Sequence, residues 1–186
     1  SMLEEGLITY CAPTLAGIKS ANLFNYRIKT SKKEVLREIY ELNRKLNDRG
    51  VRIETLLWKD SYVLIYVYRP GLLAKDLHKD GVAQLLQKYG YVDCEVDSCL
   101  VQLRTRLFAE DGFPHEIGVF LGYPLADVIG FIDHKGRDCK CCGIWKVYCN
   151  ESEARKVFCK LEKCTQVYQQ VFANGRNIEQ MTVSAS

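Results

Sequence analysis

VRIETLLWKDSYVLIYVYR, residues 51–69, is the stretch that decides the fold. Lys59-Asp60-Ser61 forms a polar turn between two runs of β-branched, aromatic and aliphatic residues, which is the grammar of a β-hairpin. In the second arm Tyr62, Leu64, Tyr66 and Tyr68 alternate with Val63, Ile65 and Val67. Strand side chains alternate between faces, so neither face of this arm is left for water. It is expected to be an inner strand covered on both sides. The tyrosine row reads as core packing with hydroxyls at the rim rather than as a ligand wall. A cover for the sheet precedes it. SKKEVLREIYELNRKLNDRG, residues 31–50, places Val35, Ile39, Leu42 and Leu46 on one helical face and lysines and arginines on the other. Ser31 and Glu34 have capping-box spacing, and Gly50 can end the helix in the left-handed conformation.

Working outward, short helices are expected from Gly71 to Tyr89, and another from about Cys94 to Phe108 with Val96, Leu100, Leu103 and Leu107 inward. GIWKVYC, residues 143–149, suits a further strand. Asn150, with Glu153 at the reciprocal position, is expected to cap a last long helix that ends near Asn174-Gly175. That helix would bury Val157, Phe158, Leu161, Val167, Tyr168 and Val171. Residues 176–186 read as a loosely ordered polar tail, and Ser1 ahead of Met2 as an expression scar. With no internal repeat, low-complexity run or linker, residues 1–186 are expected to form one α+β domain. Its sheet would be small, mixed or antiparallel, with three to five strands under about six helices.

The totals bound what such a domain can do. At 186 residues it can bury a core without covalent staples, and 47% hydrophobic and 26% charged residues describe an ordinary globule. A net charge of +3 is too mild for a dedicated duplex binder, so no nucleic-acid partner is expected. No apolar run has bilayer-spanning length, and a charged-then-apolar leader is missing; no membrane partner and a cytoplasmic location are the expectations. Nine cysteines, an odd number, fit reduced thiols of a cytosol, most of them small core hydrophobes.

Chemistry is most plausible in FPHEIGVFLGYPLADVIGFI, residues 113–132. Pro114 at the first helical position would place His115 and Glu116 in the first turn, where backbone N–H groups are unpaired and the dipole end is positive. Glu116 is favoured there as an anion. His115 is disfavoured as a cation and is expected neutral, an electron-pair donor to a metal or a proton acceptor. Gly118 and Gly122 share a helical face and would leave a bare strip for another backbone or a flat ligand. Tyr123-Pro124 then starts a second helix carrying Leu125, Val128, Ile129 and Ile132, so the whole reads as a tight helical hairpin. YCAPTLAGIKSANLF, residues 10–24, repeats the grammar: Cys11 precedes Pro13 at an apparent helix start, which favours thiolate. Should the two starts converge, Cys11, His115 and Glu116 would form a thiolate–imidazole–carboxylate set, competent as a nucleophile site or as metal ligands. No Gly-rich phosphate cradle with the right spacing occurs, which argues against a nucleotide enzyme.

HKGRDCKCCGIWKVYC, residues 134–149, invites a metal reading through the C-x-x-C pair Cys139 and Cys142. Cys159 and Cys164 are wrongly spaced to complete a zinc knuckle, and drafting His134 or Cys149 as ligands is free choice among many. Exposed loop thiols without a ligand are the plainer reading.

CAPTLAGIK, YVYRP, FPHEIGVFLGYPLADVIGFI and GIWKVY together span residues from about 10 to 170. On these segments the chain resembles an uncharacterised family of small proteins from clostridial and other anaerobic bacteria, domain of unknown function 3793. The resemblance implies a bacterial cytosolic protein of an oxygen-poor lifestyle; a role in iron or redox metabolism, with a flavodoxin-like redox protein as partner, is the expectation that goes with it. Carried over by motif, its notable positions are Cys11, Pro13, Lys19, Pro114, His115, Glu116, Gly122, Tyr123 and Pro124. Lys19, Gly118, Gly122 and Tyr123 are then candidates for holding a cofactor, and the CKCC segment falls outside the motifs. The leading expectation is a binding or accessory protein that uses Cys11 and His115 to hold a transition metal (iron or zinc) or an iron-containing cofactor. The alternatives are a small thiol enzyme acting on an acyl-type small molecule or peptide, with Cys11 as nucleophile, His115 as base and Glu116 orienting it, and a protein-interaction module.

Overall fold

The computed structural model describes residues 1–109 and 111–184. They gather into two compact units. One comprises Ser1–Leu73 and the chain from Cys164 on, the other Ala74–Lys163.

The first unit is built on the hairpin of residues 51–69. β2 (Arg52–Trp58) and β3 (Tyr62–Tyr68) pair antiparallel, and the Lys59 amide donates to the Tyr62 carbonyl at 2.9 Å across the turn. β1 (Ala21–Arg27) pairs antiparallel on the other side of β3, giving the order β1-β3-β2. The all-apolar arm is thus the inner strand, with every residue from Val63 to Tyr68 buried. α1 (Met2–Leu15) and α2 (Lys32–Leu46) pack on the sheet, and Val63, Ile65 and Val67 meet Leu3, Leu7, Val35 and Ile39 in one apolar cluster. α2 follows its sequence signals closely. The Ser31 hydroxyl accepts from the Glu34 amide at 3.1 Å, and Gly50, with φ 87°, stops the chain after a 3-10 turn at Asn47–Arg49.

α1 and β1 correct the reading of YCAPTLAGIKSANLF. Pro13 lies inside the last turn of α1 rather than ahead of a helix, and Cys11 is therefore near a helix C-terminus, not an N-terminus. Leu3, Leu7, Ile8, Cys11, Ala12 and Leu15 are all buried at helical spacing. Burial of that stripe outweighs the hydrogen bond that proline forfeits. Gly17 (φ 77°) then closes the helix: its amide donates to Thr14 at 3.1 Å and the Ile18 amide to Pro13 at 3.0 Å, the paired bonds of a Schellman ending. The carbonyls of this ending are matched by a buried cation. Arg69, 2% exposed, donates to the carbonyls of Thr14 (2.7 Å), Leu15 (2.8 Å), Arg49 (3.2 Å) and Val183 (2.6 Å). The last contact also corrects the loose tail. α8 (Ile178–Met181) buries Ile178 and Met181, Thr182 is buried, and the Val183 amide donates to Leu15 at 2.9 Å. Residues 185 and 186 of that expected tail lie outside the described residues.

The second unit is mainly helical. α3 (Pro70–Leu77) leads into it, followed by α4 (Val82–Gln87), α5 (Val96–Ala109), a 3-10 helix (His115–Leu121) and α6 (Leu125–His134). β4 (Cys141–Cys142) and β5 (Lys146–Val147) make a small antiparallel hairpin, and α7 (Glu151–Ala173) starts in this unit. Trp145, Val147, Ala154, Phe158 and Leu161 form an apolar cluster in this unit. Asn150 does not adopt the extended conformation of a side-chain cap; it is left-handed, with φ 56°. Of the residues assigned to the inner face of α7, Val157 and Val167 are exposed at 40% and 56%, while Phe158 and Leu161 are buried. The α+β class with five short strands stands, but the described residues hold eight α-helices and two 3-10 segments rather than about six helices. Among the described residues, no helix is long and apolar enough to cross a membrane.

Candidate functional site

Residues 113–134 do form a tight helical hairpin, but its prolines sit one position earlier than expected. Pro114 (φ −57°, ψ 142°) and Pro124 (φ −55°, ψ 134°) are extended residues that precede the helices. The first helix is 3-10 and ends at left-handed Gly122 (φ 73°). At Gly118 the bare strip is taken up by the segment that follows. A Cβ there would come within 2.9 Å of both Tyr123 Cδ2 and Val128 Cγ2, so the missing side chain lets the two helices close on each other.

Glu116 is fully buried and its carboxylate is committed. Arg106 of α5 donates to it from Nε and, at 3.0 Å, from Nη2, and the Tyr91 hydroxyl donates at 2.9 Å. The guanidinium also lies over the Tyr89 ring, 4.7 Å from its centre. Burial and the adjacent Glu116 charge push the Tyr91 phenol well above its ordinary range, which keeps it a donor. Glu116 thus ties the hairpin to α5. The helix-start location of the carboxylate was legible in the sequence; its partner ten positions upstream was not.

His115 points the other way in consequence: its side chain is exposed and lines a cavity of about 320 Å³. Phe113, Pro114, Ile117 and Gly118 form the wall next to it, Val128 and Phe131 of α6 a second, and Cys142 to Lys146 of the small hairpin a third. Tyr123 and Trp145 meet at 5.0 Å between ring centres, and Trp145 is braced edge-on by Phe158 at 4.6 Å. Asp127 holds this wall in place. It is 3% exposed, and it accepts from the Trp145 indole (2.8 Å), the Tyr148 amide (2.8 Å) and the Cys149 amide (3.1 Å). Lys146 spans the rim, donating to the Gly136 carbonyl at 2.6 Å with its ammonium 5.8 Å from the centre of the Phe131 ring. The His115 ring enters no hydrogen bond or ion pair among the described residues.

The structure therefore gathers His115, Gly118, Tyr123 and Cys142 around one cavity, while Cys11, Lys19, Glu116, Gly122 and Cys139 are not among its walls. Cys11 belongs to the first unit and is sealed in its core at 0% exposure, and burial pushes its thiol far above its ordinary value. The expected thiolate character rested on a helix start that is a helix end. Lys19 is 8% exposed and donates to the Ala21 carbonyl. Cys141 and Cys142 form β4 of the small hairpin, and Cys139 lies two residues ahead of it. Among the described residues no group of three or more His, Cys, Asp or Glu side chains is placed to hold a metal ion. Asp127, Trp145 and Lys146 escaped the sequence reading. The available signal was Asp127 itself, a carboxylate one position before Val128 on the inward register of α6.

Fold and site define a small α+β protein in which the FPHEIGVFLGYP segment and the CGIWK segment wall a common, mainly apolar cavity. The chain belongs to the family described as protein of unknown function (DUF3793), whose model matches residues 7–182. No curated protein and no solved structure matches it.

Proposed function

We propose that this chain is a binding protein for a small, largely apolar molecule, and that the cavity of the second unit is its site. The observation that carries the reading is the convergence of residues 113–131 with residues 142–146 around a cavity of about 320 Å³. Its walls are aromatic and aliphatic, and a few placed polar groups stand at the rim, which is the usual make-up of a small-molecule site. The Tyr123–Trp145 pair offers a flat body an aromatic surface, and the Asp127 bonds hold that surface rigid. The role expected for a cofactor ligand passes to His115 alone. In this reading its uncommitted ring nitrogen is the group that would ligate a metal-bearing cofactor seated in the cavity.

The test uses the full chain carrying Trp58→Phe, which leaves Trp145 as the one tryptophan of the two in the sequence. Titration with the neutral fluorophore N-phenyl-1-naphthylamine is expected to give saturable energy transfer from Trp145. Ile144→Gln, an exposed change on the cavity wall, is expected to weaken it. Absence of saturable transfer would end the proposal.

A second reading has one observation in its favour: Cys142 is exposed and lines the same cavity as His115. A thiol enzyme would then use Cys142 rather than Cys11. Cys142→Ser would remove the part of the labelling by an apolar acyl electrophile that bound fluorophore blocks, while Cys149 and Cys159 label as before.

A further inference from the structure

We infer that the ligand of this cavity carries an anionic head on its apolar body. The inference rests on the proposed small-molecule site and adds the class of molecule that fills it. Among the described residues, three side chains with ionisable groups other than thiol or phenol line the cavity: His115, Asp127 and Lys146. Asp127 is spoken for. Its two oxygens accept from one indole and two backbone amides, so its charge is spread into fixed donors and it has little left to offer a ligand cation. Lys146 is the opposite case. An ammonium has three N–H donors, and the structure commits one, to the Gly136 carbonyl. Its stem lies half-buried on the apolar wall by Phe131, where water screens its charge poorly. His115, also on the cavity wall, keeps a ring N–H available in either neutral tautomer.

Among the described lining residues, Lys146 and His115 both leave N–H donors for a ligand, and the uncommitted charge is positive. Glu116, the carboxylate next in sequence to His115, is withdrawn into its pair with Arg106 and does not offset it. An apolar body with a carboxylate or phosphonate head satisfies walls and rim together. A cationic head would meet Lys146 as a like charge.

Four probes of matched body separate the possibilities: 3-phenylpropionate, its neutral amide, 3-phenylpropylamine and 2-phenylethylphosphonate. Each is titrated at neutral pH against the Trp58→Phe chain by displacement of N-phenyl-1-naphthylamine. The acid or the phosphonate is expected to bind about tenfold or more tighter than the amide, as one charge-assisted hydrogen bond provides, and the amine is expected to be weakest. Whichever of the two anions is tighter identifies the head. Lys146→Met is expected to bring the anions down to the affinity of the amide, and Lys146→Arg to keep the preference. His115→Gln, at an exposed position that leaves folding alone, is expected to reduce the preference severalfold. Equal binding of acid and amide, a preference for the amine, or displacement by none of the four would overturn the inference while the cavity reading stands. Loss of fluorophore binding itself would instead remove the cavity reading.

Discussion

Glu116→Ala tests whether this carboxylate is an anchor or part of a reactive set. The substitution removes a fully buried acceptor from the Arg106 guanidinium and the Tyr91 hydroxyl. Breaking a buried ion pair from one side costs about 3–5 kcal/mol, because the other charge is left behind. Arg106 retains 17% exposure and can recruit some water, which favours the lower end of that range. The stranded Tyr91 hydroxyl adds about 1 kcal/mol, giving about 4 kcal/mol in all. Glu116→Gln keeps the shape and an acceptor oxygen, and should cost roughly half as much. Pairing Glu116→Leu with Arg106→Met leaves neither charge orphaned. The double variant should therefore recover stability relative to the sum of the singles, with a coupling of about 2 kcal/mol or more. The assay is equilibrium urea unfolding followed by Trp145 emission in the Trp58→Phe chain. Strict additivity, or a cost below about 1 kcal/mol for Glu116→Ala, would refute the anchor. The carboxylate would then be available to orient His115.

Other expectations follow from burial. In maleimide labelling of the native chain, exposed Cys142, Cys149 and Cys159 should react first and Cys11 only after unfolding; early modification of Cys11 would contradict its place in the core. Burial raises the Cys11 thiol from an ordinary 9.0, and Cys99 is pushed up to about 12. The folded state then keeps protons that the unfolded chain releases. Stability should be intact below about pH 9 and fall above it, by about 1.4 kcal/mol per pH unit for each such thiol. Cys99→Ala should make that alkaline slope shallower, and a flat profile would count against both assignments. A Cβ at Gly143 would come within 2.3 Å of two Phe158 ring carbons, so Gly143→Ala should cost about 1–3 kcal/mol and weaken fluorophore binding at the adjoining wall. Arg69→Lys should lose most of what Arg69→Met loses, since an ammonium cannot reach carbonyls on three separate segments; near-wild-type stability of the lysine variant would show that the fork geometry is dispensable.

Legibility followed the range of the interaction. α2 was readable because Ser31, Glu34 and Gly50 signal within a turn of the residues they fix, and β3 because alternation at Tyr62–Tyr68 is a property of seven consecutive residues. α1 was misread because Pro13 is a strong local signal overruled by a remote one: the burial of Leu7, Cys11 and Leu15 against strands that come later in the chain. The Schellman ending at Gly17-Ile18 was the missed local clue. At the site, the hairpin of 113–132 was legible as a unit and His115 was rightly placed in its first turn. What the residues faced was not. Glu116 and His115 are neighbours in sequence yet diverge, one to Arg106 and the other to a cavity wall. Trp145 joined that wall through an Asp127 bond spanning 18 positions, which no periodicity reports.

Arg69 carries a consequence for the order of biosynthesis. Three of its carbonyl acceptors precede it in the chain, but the Val183 carbonyl lies 114 residues downstream. At translation speeds of about 5–20 residues per second, that gap corresponds to roughly 6 to 23 seconds on the ribosome. The residues from Ala74 to Lys163 emerge complete within the same interval. The unit that begins before Ala74 is thus completed only after Lys163, and its guanidinium waits for the segment around Val183 to supply the last of these four acceptors.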